Sequence, residues 1–486
     1  MTQQEQQAEI DGAGEHAVPD DKDPETESSS TSTSTPMTSP SPSSLPLVVI
    51  SPDSTQSLQS SPETNAIYND DDNFVDNTHI DFDHIAAAWE WFRSHNSPKY
   101  WVAPLVGLSD PSFRVLCRRY GATVAHTEMA DPGGFVHSEY YRSQLLGKQQ
   151  EDRDRPLVLQ LGGSRVDKLL EAVKFIVSQN HSNNENENGG TDNSTLSFDA
   201  VELNCGCPQQ CARKGGYGAF LLEDLDKLCG IIQQLRRALP PSMPLLVKMR
   251  VFDSMDRTVT VAQRIVAAGA GILTVHGRTR HQGGGKKTAA EYKLASWPHI
   301  RAVKRAVPVP VIANGNVLDW RAVPQILEAT ECDGVMSGCG LLRDPTLFAK
   351  AKIAAGENDD EVQDFGDYVT IRDDVDDTVD MDVAWKEAVA VAREYIELAI
   401  HFQTHPTRVS KHLIWMLDRR GGWFKAKAPE LRNRTIDLRF IKFRKDFLEH
   451  CYHGCNDGDE TTDHPHKRGV AGILQDLSEE LLKTTM

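Results

Sequence analysis

The sequence predicts an α/β protein: a (β/α)8 TIM barrel, preceded by a disordered N-terminal tail and followed by a small all-helical C-terminal domain. Eight short β-branched apolar runs alternate with amphipathic helical stretches between about Trp89 and Lys350. Together they occupy roughly 260 residues, which matches the ~250 residues typical of such a barrel. Most of the runs also end on a hydrogen-bonding side chain.

The predicted strands are separated by helix-like stretches such as RVDKLLEAVKFIV, in which apolar residues recur every three to four positions. In chain order the strands are YWVAPL (100–105), TVAHTEM (123–129), PLVLQL (156–161), FDAVELN (198–204), PLLVKMR (244–250), GILTVH (271–276), VPVIAN (309–314) and CDGVMSG (332–338).

The polar strand ends favour a barrel over the alternative, a doubly wound parallel sheet. In a barrel the carboxyl ends of all strands converge on one mouth, where the active site is built. The side chains that we therefore expect at the mouth are Glu128, Gln160, Asn204, Lys248 with Arg250, His276 with Arg278, and Asn314.

The acidic charge lies outside the predicted barrel. The formal net charge is −18, to which residues 1–84 contribute −16 and residues 356–382 contribute −11, so the rest of the chain carries +9. A basic body is compatible with a polyanionic partner. We expect a disordered acidic Ser/Thr/Pro-rich tail (1–84), the barrel (96–355) with a polar insertion at 180–197, an acidic linker (356–382), a basic helical domain (383–450) and a polar tail (451–486).

Hydropathy and cysteine usage predict an intracellular protein without a membrane partner. The mean hydropathy is −0.44, and no run of about 18 apolar residues is present to span a bilayer. The first residues have neither the apolar core nor the Arg-rich amphipathicity of a leader. None of the nine cysteines forms a C-x-x-C pair, which is typical of reduced thiols. We expect a cytoplasmic and/or nuclear monomer.

Two glycine-containing turns follow the seventh and eighth predicted strands. They are Asn314–Gly315–Asn316 and Gly338–Cys339–Gly340, at the positions where barrels commonly bind phosphate through backbone N–H groups. Taken singly, an Asn-Gly-Asn sequence is more often a plain turn. Its pairing with a second such turn favours a phosphorylated cofactor such as FMN.

Two cations, Lys248 and Arg250, alternate with apolar residues in the fifth strand, so both should point toward the barrel axis. Lys248 could balance the negative charge of a reduced flavin, and Arg250 could engage a polar uracil-like ring. The alternative is that both cations form internal salt bridges with barrel carboxylates.

The fourth strand ends in Asn204-Cys-Gly-Cys207-Pro. A thiol on a tight turn at the mouth is placed for proton donation or nucleophilic attack, although most single cysteines only pack. Of the two roles we favour the general acid. The spacing of Cys205, Cys207 and Cys211 fits no usual zinc or iron–sulfur pattern. The irregular cluster Cys451, His453, Cys455, His464 and His466 leaves structural zinc as an alternative that we do not adopt, so no metal site is predicted.

These motifs resemble the tRNA-dihydrouridine synthases over roughly residues 99–350. Within that family, ARKGGYGAFL, KMRVF and ASWPHIRAVKRAV are most similar to the eukaryotic branch that acts on tRNA positions 16 and 17. The resemblance is carried, in the family's order and spacing, by APLVGLSDPSFRVLCRRYGA, HTEM, PLVLQLGG, DAVELNCGCPQQCARKGGYGAFLL, VKMRVF, LTVHGRTR, VIANGNV and DGVMSGCGLLRDPTLF.

The resemblance implies an FMN-dependent barrel that uses NADPH or NADH as reductant, with a C-terminal helical domain that helps to hold tRNA. It assigns the proton donor to Cys207 and places Asn204, Arg250 and Arg278 around the target uracil. The FMN contacts that it implies are Pro104, Leu105, Val106, Gln160, Lys248, His276, Asn314, Gly315, Asn316, Gly338 and Cys339.

The chain departs from the family pattern at two site positions. Leu105 replaces a Met that packs under the flavin, and Cys339 stands where the phosphate loop carries Arg or Glu. The expected reaction is reduction of the 5,6 double bond of a uridine in the tRNA D-loop. The alternatives are a flavin barrel acting on a free pyrimidine and a tRNA-binding protein that has lost catalysis.

Overall fold

Eight parallel strands form a closed barrel in which each strand pairs with the next and the eighth pairs with the first. In this computed structural model the described residues are 83–147, 150–185, 196–282, 294–357 and 381–418. The barrel confirms the predicted fold, and all eight predicted strands are present. They are β1 Tyr100–Val102, β2 Val124–His126, β3 Leu157–Leu161, β4 Ala200–Cys205, β5 Leu245–Arg250, β6 Ile272–His276, β7 Val311–Asn314 and β8 Gly334–Ser337.

Helices surround the barrel and close one of its ends. In chain order they are α1 His84–Ser94, α2 Pro111–Arg119, α3 Pro132–His137, α4 Glu139–Leu146, α5 Val166–Glu185, α6 Gln210–Gly215, α7 Leu225–Ala238, α8 Met255–Ala267, α9 Trp297–Ala306, α10 Ala322–Thr330, α11 Cys339–Arg343, α12 Leu347–Ala354, α13 Met381–His401 and α14 Pro406–Leu413. Short 3-10 helices span Asp152–Asp154, Gly218–Glu223 and Arg280–Gln282, and a π-helical turn, Ile414–Asp418, follows α14.

Side-chain caps define where several of these helices begin. Asp110 accepts a hydrogen bond from the Phe113 N–H at the start of α2, where Pro111 occupies the first helical position. Asp224 and Ser254 cap α7 and α8 in the same way. These side-chain oxygens satisfy N–H groups that have no partner within the helix, so the strand-to-helix loops are locally specified.

Successive residues of β5 face two different hydrophobic cores, one between the strands and the helices and one inside the barrel. Leu245, Val247 and Met249 pack in the layer between strands and helices, whereas Leu246 belongs to the cluster inside the barrel. Lys248 and Arg250 share the inner face with Leu246, as the period-two pattern predicts.

Helix α1 closes the amino-terminal end of the barrel. Trp91 packs on Trp101 of β1, with ring centroids 6.5 Å apart. Ala88 approaches so closely that a Cβ at Gly271 would lie 2.9 Å from its Cβ, so only glycine fits at that position. The sequence analysis did not predict this helix. It begins at His84, which the predicted tail includes, and residues 1–82 lie outside the described residues.

Helices α13 and α14, together called the helical pair below, pack against α2. His412 stacks on Phe113 at 4.6 Å and lies 4.7 Å from the ring of Tyr395. The expectation of helices in 383–450 is met over 383–418, and the remainder lies outside the described residues, as does 451–486. Helix α13 begins inside the predicted linker.

The polar insertion predicted at 180–197 differs from the structure at its start. Helix α5 continues to Glu185, so the first residues of that stretch are helical. None of the described helices combines the length and apolarity needed to cross a bilayer.

Candidate active site

The carboxyl ends of the strands bring the predicted site residues into contact as three pairs. Asn204 Nδ2 donates to Gln160 Oε1 at 2.8 Å, and Lys248 Nζ donates to Asn314 Oδ1 at 3.2 Å. Beside the second of these pairs, Arg278 donates to Asn316 Oδ1 at 2.5 Å. These contacts join β3 to β4, β5 to β7 and the loop after β6 to the loop after β7.

The two glycine-containing turns lie beside other predicted site residues. A Cβ at Gly338 would lie 3.3 Å from Leu105 Cδ2, so the turn after β8 contacts the loop after β1. Gly315 has φ +116°, and a Cβ there would lie 2.7 Å from Ala295 and 3.1 Å from His276. Only glycine therefore fits at position 315. Pro104 is half-buried in the same loop as Leu105, whereas Val106 and Cys339 are exposed at the rim.

Lys248 is a cation without a carboxylate partner within salt-bridge distance among the described residues, since its hydrogen bond goes to the neutral amide of Asn314. Desolvation inside the barrel lowers its pKa to about 8, an effect that the Glu202 carboxylate opposes. The salt-bridge interpretation therefore fails for Lys248. A desolvated ammonium in this position is suited to an anionic ligand.

Arg250 ties two loops of the mouth together. Its Nε donates to the Gly206 carbonyl at 2.6 Å and its Nη1 donates to the Thr279 carbonyl at 3.1 Å. These bonds fix the guanidinium between the turn after β4 and the turn after β6. Both of these partners are neutral carbonyls.

His276 is held neutral. Burial, followed by the charges of Lys248, Arg250 and Arg278, keeps its pKa well below the usual value. Arg278 Nη1 lies 3.3 Å from His276 Nε2. A guanidinium only donates hydrogen bonds, so Nε2 accepts and the ring hydrogen is on Nδ1.

The turn that carries Cys207 is held from two sides. Asn204 Oδ1 accepts from the Gly206 and Cys207 N–H groups at 3.0 and 2.9 Å. The Cys207 carbonyl accepts from Ala219 N–H at 2.9 Å. Gly218, with φ +64°, touches the same carbonyl, because a Cβ there would lie 2.6 Å from it. Gly218 is thus a positioning residue that sequence analysis missed.

The two neighbouring cysteines differ in their environment. Partial burial raises the pKa of Cys207, so its thiol is protonated at neutral pH and able to act as an acid. Cys205 is fully buried in the outer core, where burial and the Glu202 charge raise its pKa further. Among the described residues no His, Cys, Asp and Glu cluster is arranged to hold a metal ion, and the C-terminal Cys/His cluster lies outside them.

A buried carboxylate below the mouth, Glu202, was also missed. Its Oε1 accepts from Gln160 Nε2 at 2.7 Å, and its Oε2 lies 3.4 Å from His126 Nε2. A carboxylate only accepts, so Gln160 must turn its NH2 group toward Glu202 and its oxygen toward Asn204. Asn204 then turns its own oxygen toward the Cys207 turn. The period-two pattern of β4, which puts Glu202 on the face of Asn204, was the available signal.

The fold and site define a (β/α)8-barrel protein whose mouth combines glycine-containing turns after β7 and β8, a lysine without a carboxylate partner among the described residues, and a protonated thiol. The Dihydrouridine synthase (Dus) family profile matches residues 101–449. The chain belongs to this family.

Relatives named for tRNA positions 16/17 and for positions 20a/20b each match a little over half of this chain. A Rattus norvegicus protein named tRNA-dihydrouridine(16/17) synthase (NAD(P)(+))-like is 36% identical over 274 residues, covering 56% of this chain and 57% of the relative. The Saccharomyces cerevisiae tRNA-dihydrouridine(16/17) synthase is 36% identical over 263 residues, covering 53% and 56%. A Homo sapiens tRNA-dihydrouridine(20a/20b) synthase-like protein is 30% identical over 261 residues, covering 54% and 73%. The chain thus spans just over half the length of the rat and yeast relatives.

Proposed function

We propose that the protein is a flavin-dependent tRNA-dihydrouridine synthase that uses NADPH or NADH to reduce the 5,6 double bond of a D-loop uridine. The observation that carries this proposal is the proximity of Lys248 to the Cys207 turn. A Cβ at Gly206 would lie 4.0 Å from Lys248 Nζ. Lys248, which would attract an anionic ring, and Cys207, the proposed proton donor, therefore lie on the same side of the mouth.

The mouth residues fit FMN. The Gly315 and Gly338 turns present backbone beside Leu105 and His276, where a cofactor phosphate and ring would bind. Lys248 supplies the positive charge that an anionic flavin ring requires. Cys339 removes a side-chain contact to phosphate and leaves the backbone N–H groups as donors. When bound, FMN supplies the hydride that the reaction needs. The full proposed contact set is Pro104, Leu105, Val106, Gln160, Lys248, His276, Asn314, Gly315, Asn316, Gly338 and Cys339.

Cys207 is the proposed acid. Hydride addition at carbon 6 of uracil leaves an electron pair at carbon 5, and the Cys207 Sγ–H proton is transferred to that carbon. Asn204, Arg250 and Arg278 surround the ring in this proposal. Arg250 is held by two carbonyls of the mouth, so its orientation is set before the base enters.

The base must leave its stack to reach the mouth, at a cost of a few kcal/mol. The +9 charge outside the two acidic segments favours tRNA binding that offsets this cost. The higher identity to 16/17 relatives than to the 20a/20b relative supports positions 16 and 17 as targets. The seven described cysteines are all free, which supports action in a reducing compartment such as the cytoplasm or nucleus.

Flavin content and tRNA-dependent turnover test this proposal together. The purified full chain should be yellow, should release FMN on denaturation, and should be reoxidised by unmodified tRNA after anaerobic reduction with NADPH. Reoxidation by free uridine at the same rate would favour the free-pyrimidine alternative. A colourless protein that binds tRNA would contradict the enzymatic proposal.

A further inference from the structure

A single carboxylate, Glu128, connects the helical pair to the loop after β1. Glu128 Oε2 accepts from the Gly107 N–H at 2.5 Å, and its Oε1 accepts from Arg408 Nη2 at 2.5 Å. The side chains of Glu128 and Arg408 are only 8% and 17% exposed. Residues 104–107, called the cofactor loop here, contain three of the proposed FMN contacts.

The cofactor loop is fixed at two points. At its start, Leu105 N–H donates to Ser109 Oγ at 2.8 Å, and that hydroxyl donates to the Ala103 carbonyl at 3.0 Å. At its end, Gly107, with φ +72°, is fixed by Glu128. Val106 lies between them and is 55% exposed. The second fixed point therefore depends on a carboxylate that is itself paired with a residue of α14.

Two further polar contacts hold α14 and the segment before it against the same region. His412 Nε2 lies 2.8 Å from Asp110 Oδ2, and both side chains are buried. The Ser112 and Thr404 hydroxyls share a hydrogen bond at 2.5 Å. Asp110 and Ser112 lie just beyond the cofactor loop in the chain. Directional polar contacts of this kind fix one relative position of α14 and the loop, whereas apolar packing tolerates small shifts.

We propose that Arg408 is a positioning residue for the cofactor loop: by holding Glu128, it orients Gly107 and its neighbours for FMN. This inference rests on the proposed FMN site. It makes the helical pair part of the cofactor site, so FMN affinity depends on a residue that comes more than fifty positions after the barrel's last helix in the chain. Without Arg408, the buried Glu128 carboxylate lacks its cation and turns toward water, which releases Gly107.

FMN affinity of the full chain, measured by fluorescence titration of the reconstituted apoprotein, tests this role. Arg408→Gln should weaken FMN binding about tenfold or more, because a charge-assisted contact to the loop anchor is lost. The matched control is Glu394→Gln. It breaks another contact between the helical pair and α2, the Arg119–Glu394 ion pair at 3.6 Å, whose side chains are partly exposed, and the amide oxygen that it introduces can still accept from the Tyr120 hydroxyl. The control should stay within twofold of wild type.

A double-variant cycle separates positioning from general stability. In Arg408→Gln with Glu128→Gln no buried carboxylate is left unpaired, and the amide oxygen introduced by Glu128→Gln can still accept from the Gly107 N–H. FMN affinity should therefore recover relative to Arg408→Gln alone. If Arg408→Gln does not fold, Arg408→Lys, which keeps the positive charge but loses the planar guanidinium fork, provides the same readout.

Three results would overturn the inference. They are an FMN affinity of Arg408→Gln within twofold of wild type, an equal loss in the Glu394→Gln control, and no recovery in the double variant. A wild-type chain that binds no FMN would overturn the proposed function as well, whereas normal wild-type binding with unaffected variants would overturn only the role of Arg408.

Discussion

Four residues outside the Cys207 turn determine its geometry. Glu202 orients the Gln160 amide, Gln160 orients Asn204, and Asn204 accepts both N–H groups of the turn. Gly218 contacts the Cys207 carbonyl from the other side. The thiol is therefore held by a network that reaches below the barrel mouth, which is how a site keeps a donor fixed relative to a bound base.

Replacement of Cys207 tests the proton donor. Cys207→Ala should slow uracil reduction by about 10²–10⁴, the usual contribution of a positioned general acid, while FMN content and NADPH oxidation change little. Single-turnover reoxidation of the reduced enzyme by tRNA measures this step. Cys205→Ala is the control, because that thiol is buried in the outer core; it should retain the rate. A Cys207→Ala rate within twofold of wild type would exclude the assignment.

The charge of Lys248 predicts a pH dependence of FMN affinity. Its pKa is lowered to about 8, so the ammonium is present below that pH and is lost as pH rises through it. Only the charged form attracts the anionic cofactor, and FMN affinity should be constant below about pH 8 and fall above it. FMN titrations at pH values from about 6.5 to 9.5, which bracket the folded-state pKa of Lys248, measure this pH dependence. The Lys248→Met variant should bind FMN more weakly, and its affinity should not fall above about pH 8. A variant with the same pH profile as wild type would argue against a contact between Lys248 and FMN.

Among the elements, the strands could be predicted from sequence and α1 could not. Each strand carries a local signal, an apolar run, and most of these runs end on a polar residue. In β5 the alternation also gives the inward direction of Lys248 and Arg250. Helix α1 is short and follows a long acidic stretch, and its burial comes from residues distant in the chain, on β1, on α8 and in the loop before β7. Helix α1 closes the end of the barrel through the contacts of Ala88 with Gly271 and of Trp91 with Trp101.

Helix α1 should contribute to stability without contributing to the site. Trp91→Ala removes a side chain that is only 6% exposed and packs on Trp101, and should lower the free energy of unfolding by about 3 kcal/mol. FMN affinity should not change, because α1 lies at the end of the barrel opposite the mouth. Denaturant unfolding and FMN titration measure the two effects. Trp89→Ala, whose indole donates to Pro308 in a more exposed setting, should cost less; an equal cost would contradict the closing role of Trp91.

At the scale of the whole molecule, contacts between distant segments complete the site. The strand-end residues were predictable because the barrel fold itself brings the carboxyl ends together. The Glu128–Arg408 pair was not, since it joins residues 280 positions apart and nothing near either residue indicates the other. The contact of Gly218 with Cys207 is closer in sequence, but a glycine after a Gly-Gly-Tyr run has no pattern that distinguishes it from an ordinary loop glycine.

Position-resolved mapping of dihydrouridine tests the central claim most directly. Unmodified tRNA transcript would be incubated with the FMN-loaded full chain and NADPH, in parallel with Cys207→Ala. The account predicts dihydrouridine in the D-loop, at positions 16 and 17, with wild type and a strongly reduced yield with the variant. Dihydrouridine at 20a or 20b alone would move the target position but keep the reaction. An FMN-loaded wild-type chain that oxidises NADPH and forms no dihydrouridine in any tRNA would contradict the account.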